Sequence, residues 1–198
     1  MVRAAGKRQS QKAATREQIL EAARRVCLLQ GLFPPTDEIA REASVAHGTI
    51  FVHFPTREEL QLRVLERLAG EMGGRLHELA ASKRSIEELL HAHIAVLEEY
   101  KPFYKRLLEG LAALPEGARM LLLALQSVLS AHLGAVIEEG QRAGRIKSLP
   151  LPLLFNAWIG LVHHYLLNAA LFAPGESVLK CRKKELIEGY LALITSEK

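Results

Sequence analysis

The residues best suited to binding chemistry fall in one short stretch, His47-Gly48-Thr49-Ile50-Phe51-Val52-His53-Phe54. In a helix that advances about 100° per residue, setting Ile50 toward a core, with Ala46 and Phe54 near it, turns Gly48 and Val52 almost directly outward. Gly48 lets a partner approach the backbone closely, and Val52 offers an apolar tip suited to a thymine methyl. Thr49 and Phe51 lie to either side, where a helix seated in a DNA groove meets phosphate or sugar, and His53 sits beside Thr49. His47 occupies the first turn, the part of a recognition helix that reaches base edges. His47 and His53 also admit a plainer reading as surface histidines.

Such a helix needs a scaffold, and the preceding residues supply one. Ile19, Ala22, Ala23, Val26 and Cys27 form one apolar face of a helix expected over Thr15 to Leu29, with Gly31 as its stop signal. Pro34 and Pro35 break the chain. Thr36 is read as an N-cap, with Asp37 and Glu38 complementing the positive end of a helix that reaches about Ala43. Ser44-Val45-Ala46 is the turn, the next helix covers about Ala46 to Phe54, and Pro55 stops it while Thr56 caps another. Two short helices joined by a three-residue turn make a helix-turn-helix.

Beyond Thr56 every segment reads as helix: about 57–80, then one opened by the capping-box signature Ser85-Ile86-Glu87-Glu88, two segments punctuated by Pro102 and Pro115, and helices over about 116–141, 151–172 and 177–195. No strand-like alternation or internal repeat emerges. The expected fold is all-α, with about nine helices: an N-terminal three-helix helix-turn-helix domain and a larger helical domain.

Charge is partitioned along the chain. The 198 residues carry a formal charge of +4. Up to Arg57 nine Lys or Arg face five Asp or Glu, whereas the remaining residues hold 17 of each. A basic head on a neutral body is the footprint of phosphate contact. No acid precedes Glu17, so the segment containing Arg3, Lys7, Arg8 and Lys12 is either a DNA-tracking arm or a plain basic tail. That segment has no apolar core of the kind a secretory signal carries. Cys27 and Cys181 are expected as buried free thiols, and a cytoplasmic location follows as the default.

Other chemistries find little support. His91 and His93 lie about 200° apart around a helix, and His163 and His164 diverge similarly, so neither pair serves one metal from one face. Asp37 is the only aspartate. Neither a metal site, a cofactor nor an enzymatic activity is expected. Residues 148–175 contain no Lys, Arg, Asp or Glu and are long enough to span a bilayer, yet they hold Asn156, His163, His164 and Asn168 at intermediate depth. A helix buried within a protein core or a subunit interface accounts for them better.

The runs Ile19-Leu20-Glu21-Ala22-Ala23 to Gly31, Glu38-Ile39-Ala40 to Ala43, and Gly48 to Phe54 with Arg57 and Leu60 give the chain a resemblance to the TetR family of transcriptional regulators. The signature spans about residues 15–60. It implies a DNA-binding domain there behind a flexible basic arm at 1–14, with effector binding and dimerisation in 61–198. By position, the resemblance makes Thr36, Thr49, His53 and Arg57 phosphate contacts and His47, Gly48 and Val52 base-facing. Phe51 stands where the family usually has tyrosine, leaving packing in place of a hydroxyl hydrogen bond. Ser44 stands where glycine usually relieves a left-handed conformation.

The function implied is a repressor released from a palindromic operator by a small molecule. Helices between about 85 and 172 supply abundant apolar lining, with Tyr104, His132, Trp158, His163, Tyr165 and Asn168 as polar or aromatic handles, each of which also reads as ordinary packing. The effector expected is small and mostly apolar. Segments 151–172 and 177–195 are the expected homodimer interface, since a helix apolar on all sides needs cover beyond its own subunit. Two other readings remain open: a non-specific DNA-binding protein, and a membrane-associated helical protein through residues 148–175.

Overall fold

The structure, a computed structural model, describes residues 2–31, 34–113 and 116–196; at positions 2–7 and 113 it describes the backbone alone. Among the described residues there are ten α-helices: α1 Val2–Gln30, α2 Thr36–Glu42, α3 His47–His53, α4 Arg57–Ala80, α5 Ile86–Glu99, α6 Lys101–Glu109, α7 Glu116–Arg142, α8 Leu151–Leu167, α9 Ala169–Phe172 and α10 Val178–Ile194. A single 3-10 turn spans Leu111–Ala113, and an isolated antiparallel bridge joins Ile146 and Thr195. The all-α expectation holds. Where one helix was expected over 151–172, two occur: the chain leaves the helical conformation at Asn168 (φ −107°, ψ 28°), whose side-chain amide donates to the His164 carbonyl at 2.9 Å beside its own backbone N–H at 3.1 Å.

A second difference lies at the N-terminus. Residues 2–14, expected as a flexible arm, continue α1 without a break. The segment contains no proline and is rich in Ala, Lys, Arg and Gln, all good helix formers. Gly31 ends α1 with φ +88°, and a Cβ there would meet Arg106 Cγ at 2.5 Å, so the stop requires glycine.

The chain divides into two compact units, Met1–Gly70 with Pro102–Leu121, and Glu71–Lys101 with Leu122–Lys198. The first has a core in which the predicted face of α1, namely Ile19, Ala22, Ala23, Val26 and Cys27, is buried, together with Ile39, Ala40 and Ala43, Ile50 and Phe54, and Leu60 and Val64 of α4. The second is built on α5, α8 and α10, with α10 packed on both of the others. Its α5 opens on the expected capping box, Ser85 and Glu88 each bonding the other's backbone N–H. At its centre Trp158 donates to His93 Nδ1 at 3.0 Å, and Tyr190 stacks obliquely on Trp158 while its hydroxyl donates to the Leu154 carbonyl at 2.8 Å.

The outward side of α8 is uncovered within the chain. Leu153, Ala157, Gly160, His164 and Leu167 are exposed at spacings of four, three, four and three residues, while Leu154, Phe155, Trp158, Ile159, Val162 and Leu166 are buried. The helix is thus two-sided rather than buried all round. With 17 residues it is shorter than the roughly 20 that a bilayer span requires. Among the described residues one helix, α7, is long and apolar enough to cross a membrane by length and composition, a test that core helices of water-soluble proteins also pass.

Cys27 is buried and Cys181 exposed, both as free thiols. The burial expected for Cys181 fails because Val178, Leu179, Leu186, Ile187, Tyr190 and Ile194 form the inward stripe of α10, and Cys181 lies off it. Its thiol donates to Glu176 Oε2 at 2.9 Å, and that carboxylate pushes the thiol pKa up.

Candidate nucleic-acid interface

The rotation of α3 is the one its sequence dictates. Ile50 is 1 % exposed and Phe54 fully buried, whereas Val52 is 66 % and Phe51 40 % exposed. His47 and Gly48 are exposed, and Thr49 and His53 half-buried. A Cβ at Gly48 would meet nothing within 4 Å, so nothing in the chain's own packing demands glycine there. What the missing side chain provides is clearance outward.

Helix α3 is held by its neighbours on both sides. Ser44 takes φ +52°, the left-handed conformation that the turn requires, and its strain is offset locally: Ser44 N–H donates to the Arg41 carbonyl at 3.1 Å and Val45 N–H to the Ala40 carbonyl at 3.0 Å. From α1, the Gln18 amide donates to the Ala43 carbonyl at 2.6 Å. Beyond α3, Thr56 caps α4 as expected, accepting from Glu59 N–H at 3.1 Å.

Thr36 departs from its expected local role. Pro35 holds the cap position of α2 and Thr36 is its first helical residue, making no cap bond; its hydroxyl lies 2.8 Å from His47 Nε2 instead. The His47 ring also meets Phe51 edge-on, with centroids 5.3 Å apart. The first residue of α3 is therefore tied to α2 through one ring nitrogen. Thr36 and Arg57 line one small apolar cleft with Ala23, Cys27, Ile39 and Leu60.

On the other side of α3 a surface groove of about 720 Å³ runs between α1 and α3, lined by Arg8, Gln11, Lys12, Thr15, Val52 and His53. Arg3 and Lys7 lie outside the residues whose side chains are described. His53 Nδ1 is buried with no hydrogen-bond partner. Burial, and then the nearby charges of Lys12 and Arg16, hold the His53 pKa below its ordinary value, so the ring is neutral at pH 7.

Acidic side chains take up much of the positive charge behind this face. Arg25 pairs with Glu21 and with Glu42 at 2.8 Å, Arg41 with Asp37, and Arg67 with Glu17 at 2.6 Å. Arg16 lies 4.4 Å from the Phe54 ring centroid, and 3.8 Å from Glu59, a positioning contact that sequence reasoning missed. The i,i+38 separation leaves no local signal.

The six expected effector handles fall into several surroundings. Tyr104 is buried and belongs to the first unit, the other five to the second. His132 faces His77, Tyr165 stacks on Phe172 and bonds Glu185, and Asn168 bonds His164. Trp158 is fully buried on His93. His163 is half-buried, and burial pushes its pKa down to about 4. His93, pushed to about 3 by burial and then by His163, is the member that sequence reasoning missed. Among the described residues no group of three His, Cys, Asp or Glu side chains is placed to hold a metal.

Residues 19–64 match the family model described as bacterial regulatory proteins, tetR family, and the all-α architecture around them is that of TetR regulators. No curated protein matches the chain. A transcriptional regulator from Saccharomonospora viridis in complex with choline superimposes with a TM-score of 0.76 at 18 % identity, covering 93 % of this chain and 100 % of the other. A TetR-family regulator from Agrobacterium tumefaciens gives 0.72 at 21 %, covering 93 % and 100 %. The transcriptional regulator FadR from Bacillus subtilis in complex with stearoyl-CoA gives 0.67 at 20 %, covering 89 % and 97 %. At these identities the likeness is one of fold.

Proposed function

We propose that this chain is a cytoplasmic, homodimeric DNA-binding regulator that represses transcription from a palindromic operator and leaves it when a small organic effector binds. The observation that carries the reading is α3: a helix with its apolar side buried and Gly48, Val52, Phe51 and His47 presented outward, within a segment matching the tetR family model. Val52 and Gly48 read bases, with His47 beside them. Thr36, Thr49, His53 and Arg57 meet phosphates, Phe51 packs on sugar or methyl, and Arg8 and Lys12, with Arg3 and Lys7, extend the phosphate track along α1. Operator binding is assigned to residues 15–60, with effector uptake and pairing in 61–198.

The exposed stripe of α8 supports pairing. Leu153, Ala157, Gly160, His164 and Leu167 repeat at alternating four- and three-residue spacing, the pattern of a helix seam, and Leu193 of α10 is 67 % exposed. A partner copy would cover α8 and α10 together, residues 151–167 and 178–194, with α9 beside them. The effector is mostly apolar. Choline and stearoyl-CoA in the two liganded relatives support an organic molecule. Tyr104, His132, Trp158, His163, Tyr165 and Asn168 are the handles assigned to it.

Selection of bound duplexes from a random pool, followed by salt titration of the winner, tests the reading. The expected result is one palindrome whose half-sites lie about 34–36 Å apart, bound with an affinity that falls steeply with salt. Equal affinity for unrelated duplexes would replace it with non-specific DNA binding.

A further inference from the structure

Helices α4 and α7 meet along a face of the second unit where side chains repeat in step. A Cβ at Gly73 of α4 would touch Leu125 and Val128 of α7 at 3.8 Å. One turn further along both helices, His77 Nδ1 lies 3.1 Å from His132 Nε2, with the ring centroids 5.1 Å apart and the planes tilted by 45°. Leu76 and Ala80 beside His77, and Leu129 and Leu133 beside His132, are all buried, so both backbones are fixed by the core while the imidazoles reach the surface. His77 is exposed and His132 half-buried.

Two neutral imidazoles meeting nitrogen to nitrogen share one proton, one ring donating and the other accepting. The same two lone pairs suit a metal ion. With metal–nitrogen bonds of about 2.05 Å, a right-angled pair of ligands sets the nitrogens about 2.9 Å apart and a tetrahedral pair about 3.3 Å. The observed separation falls between these limits. Burial and His77 hold the His132 pKa below its ordinary value, so at neutral pH this ring is uncharged, the form that ligates.

We infer that His77 and His132 form a two-histidine clip for a divalent transition-metal ion of the Zn²⁺, Ni²⁺ or Cu²⁺ class, with water in the remaining coordination positions. Imidazole nitrogen suits these ions, and an oxygen-seeking ion such as Mg²⁺ finds no matching ligand in the pair. Binding takes the place of the shared proton, which moves to the outer nitrogen of the ring that donated it, so both imidazoles stay neutral and the ion ties the last turn of α4 to the middle of α7. The site is independent of the DNA-binding reading: it rests on other residues and is read out without DNA.

Calorimetric titration of the full chain at pH 7.5 with Ni²⁺ or Zn²⁺ tests it, alongside His77→Gln, His132→Gln and, as a control on a half-buried histidine elsewhere, His91→Gln. The expected result is one site per chain, weakened at least about tenfold by either clip substitution and unchanged by His91→Gln. Thermal unfolding gives a second readout, because an ion bound to the native state raises Tm. Wild type and His91→Gln should show the rise with Zn²⁺, and the two clip variants should lose it while retaining the wild-type helical spectrum. Equal affinity in wild type and both clip variants, or a Tm rise that survives His132→Gln, overturns the proposal, leaving the pair as an interhelical hydrogen bond.

Discussion

Helices α3 and α8 both expose one side, and the two sides declare themselves differently. In α3 the seven residues His47–His53 bury Ile50 and show a glycine, a valine and two aromatic rings, with Arg8 and Lys12 along the adjoining groove. In α8 the exposed line is Leu153, Ala157, Gly160, His164 and Leu167, without an acid or a basic cation. The proposal for the first side rests on residue identity, since each residue type would suit a feature of a DNA groove. The second is legible only from burial, since leucine and alanine look alike in a core and at an interface. Chemistry can be read from types; cover cannot.

The largest test of the contrast is acid, which should strike the second unit. His93 and His163 have native pKa values of about 3 and about 4, below the ordinary value near 6.5. The unfolded chain therefore takes up protons that the native one refuses, and stability present above pH 6.5 is lost as pH falls toward 4 and 3. His93 alone gives a slope of up to about 1.4 kcal/mol per pH unit in that window, with a smaller share from the part-exposed His163. Denaturant midpoints measured from pH 7.5 to 4.5 should fall accordingly, and His93→Gln should flatten the curve.

Next comes a charge on the uncovered side of α8. Leu153→Glu should shift the sedimentation coefficient from dimer to monomer, at a cost of about 3–5 kcal/mol to pairing, and leave the helical spectrum intact. A dimer that persists would mean that another surface covers the chain. Smaller effects divide the α3 region by role. Arg57→Ala should weaken all duplexes alike and lower the salt slope by about one. Val52→Ala should relax base preference at one position by about 1 kcal/mol or more in a binding selection, with its salt slope unchanged. The same response from both substitutions would collapse the distinction between backbone and base contacts. Smallest is Ser44→Gly, which relieves a left-handed serine and should raise stability by about 0.5–1 kcal/mol, visible as a Tm increase of a few degrees.

Legibility stopped where local pattern stopped. The buried face of α1, the inward Ile50 and Phe54, the Thr56 cap and the Ser85–Glu88 box all follow from spacings of eight residues or fewer and appear in the structure, whereas Ala46, expected beside Ile50, is exposed. The Thr36–His47 bond crosses a turn, and the Trp158–His93 bond joins residues 65 apart, so periodicity says nothing of either. α8 ends at Asn168 without the glycine or proline that marks a break in a bare sequence. The six effector handles were chosen by type alone, and their neighbours differ: Trp158 and His163 share His93, Tyr165 and Asn168 share His164, and Tyr104 and His132 stand apart from both pairs.

The uninterrupted course of α1 from Val2 has a mechanical meaning. Twenty-nine residues at 1.5 Å each make a rod roughly 44 Å long, and Arg8 and Lys12 ride on it one turn apart in fixed phase. A loose tail would surrender about 1–2 kcal/mol of freedom per residue on meeting a partner; a rod has surrendered it on folding. The rod also acts as a phase gauge. One alanine inserted between Lys12 and Thr15 would swing both cations about 100° around the axis, whereas a whole extra turn would return them to nearly the same bearing 5.4 Å farther out.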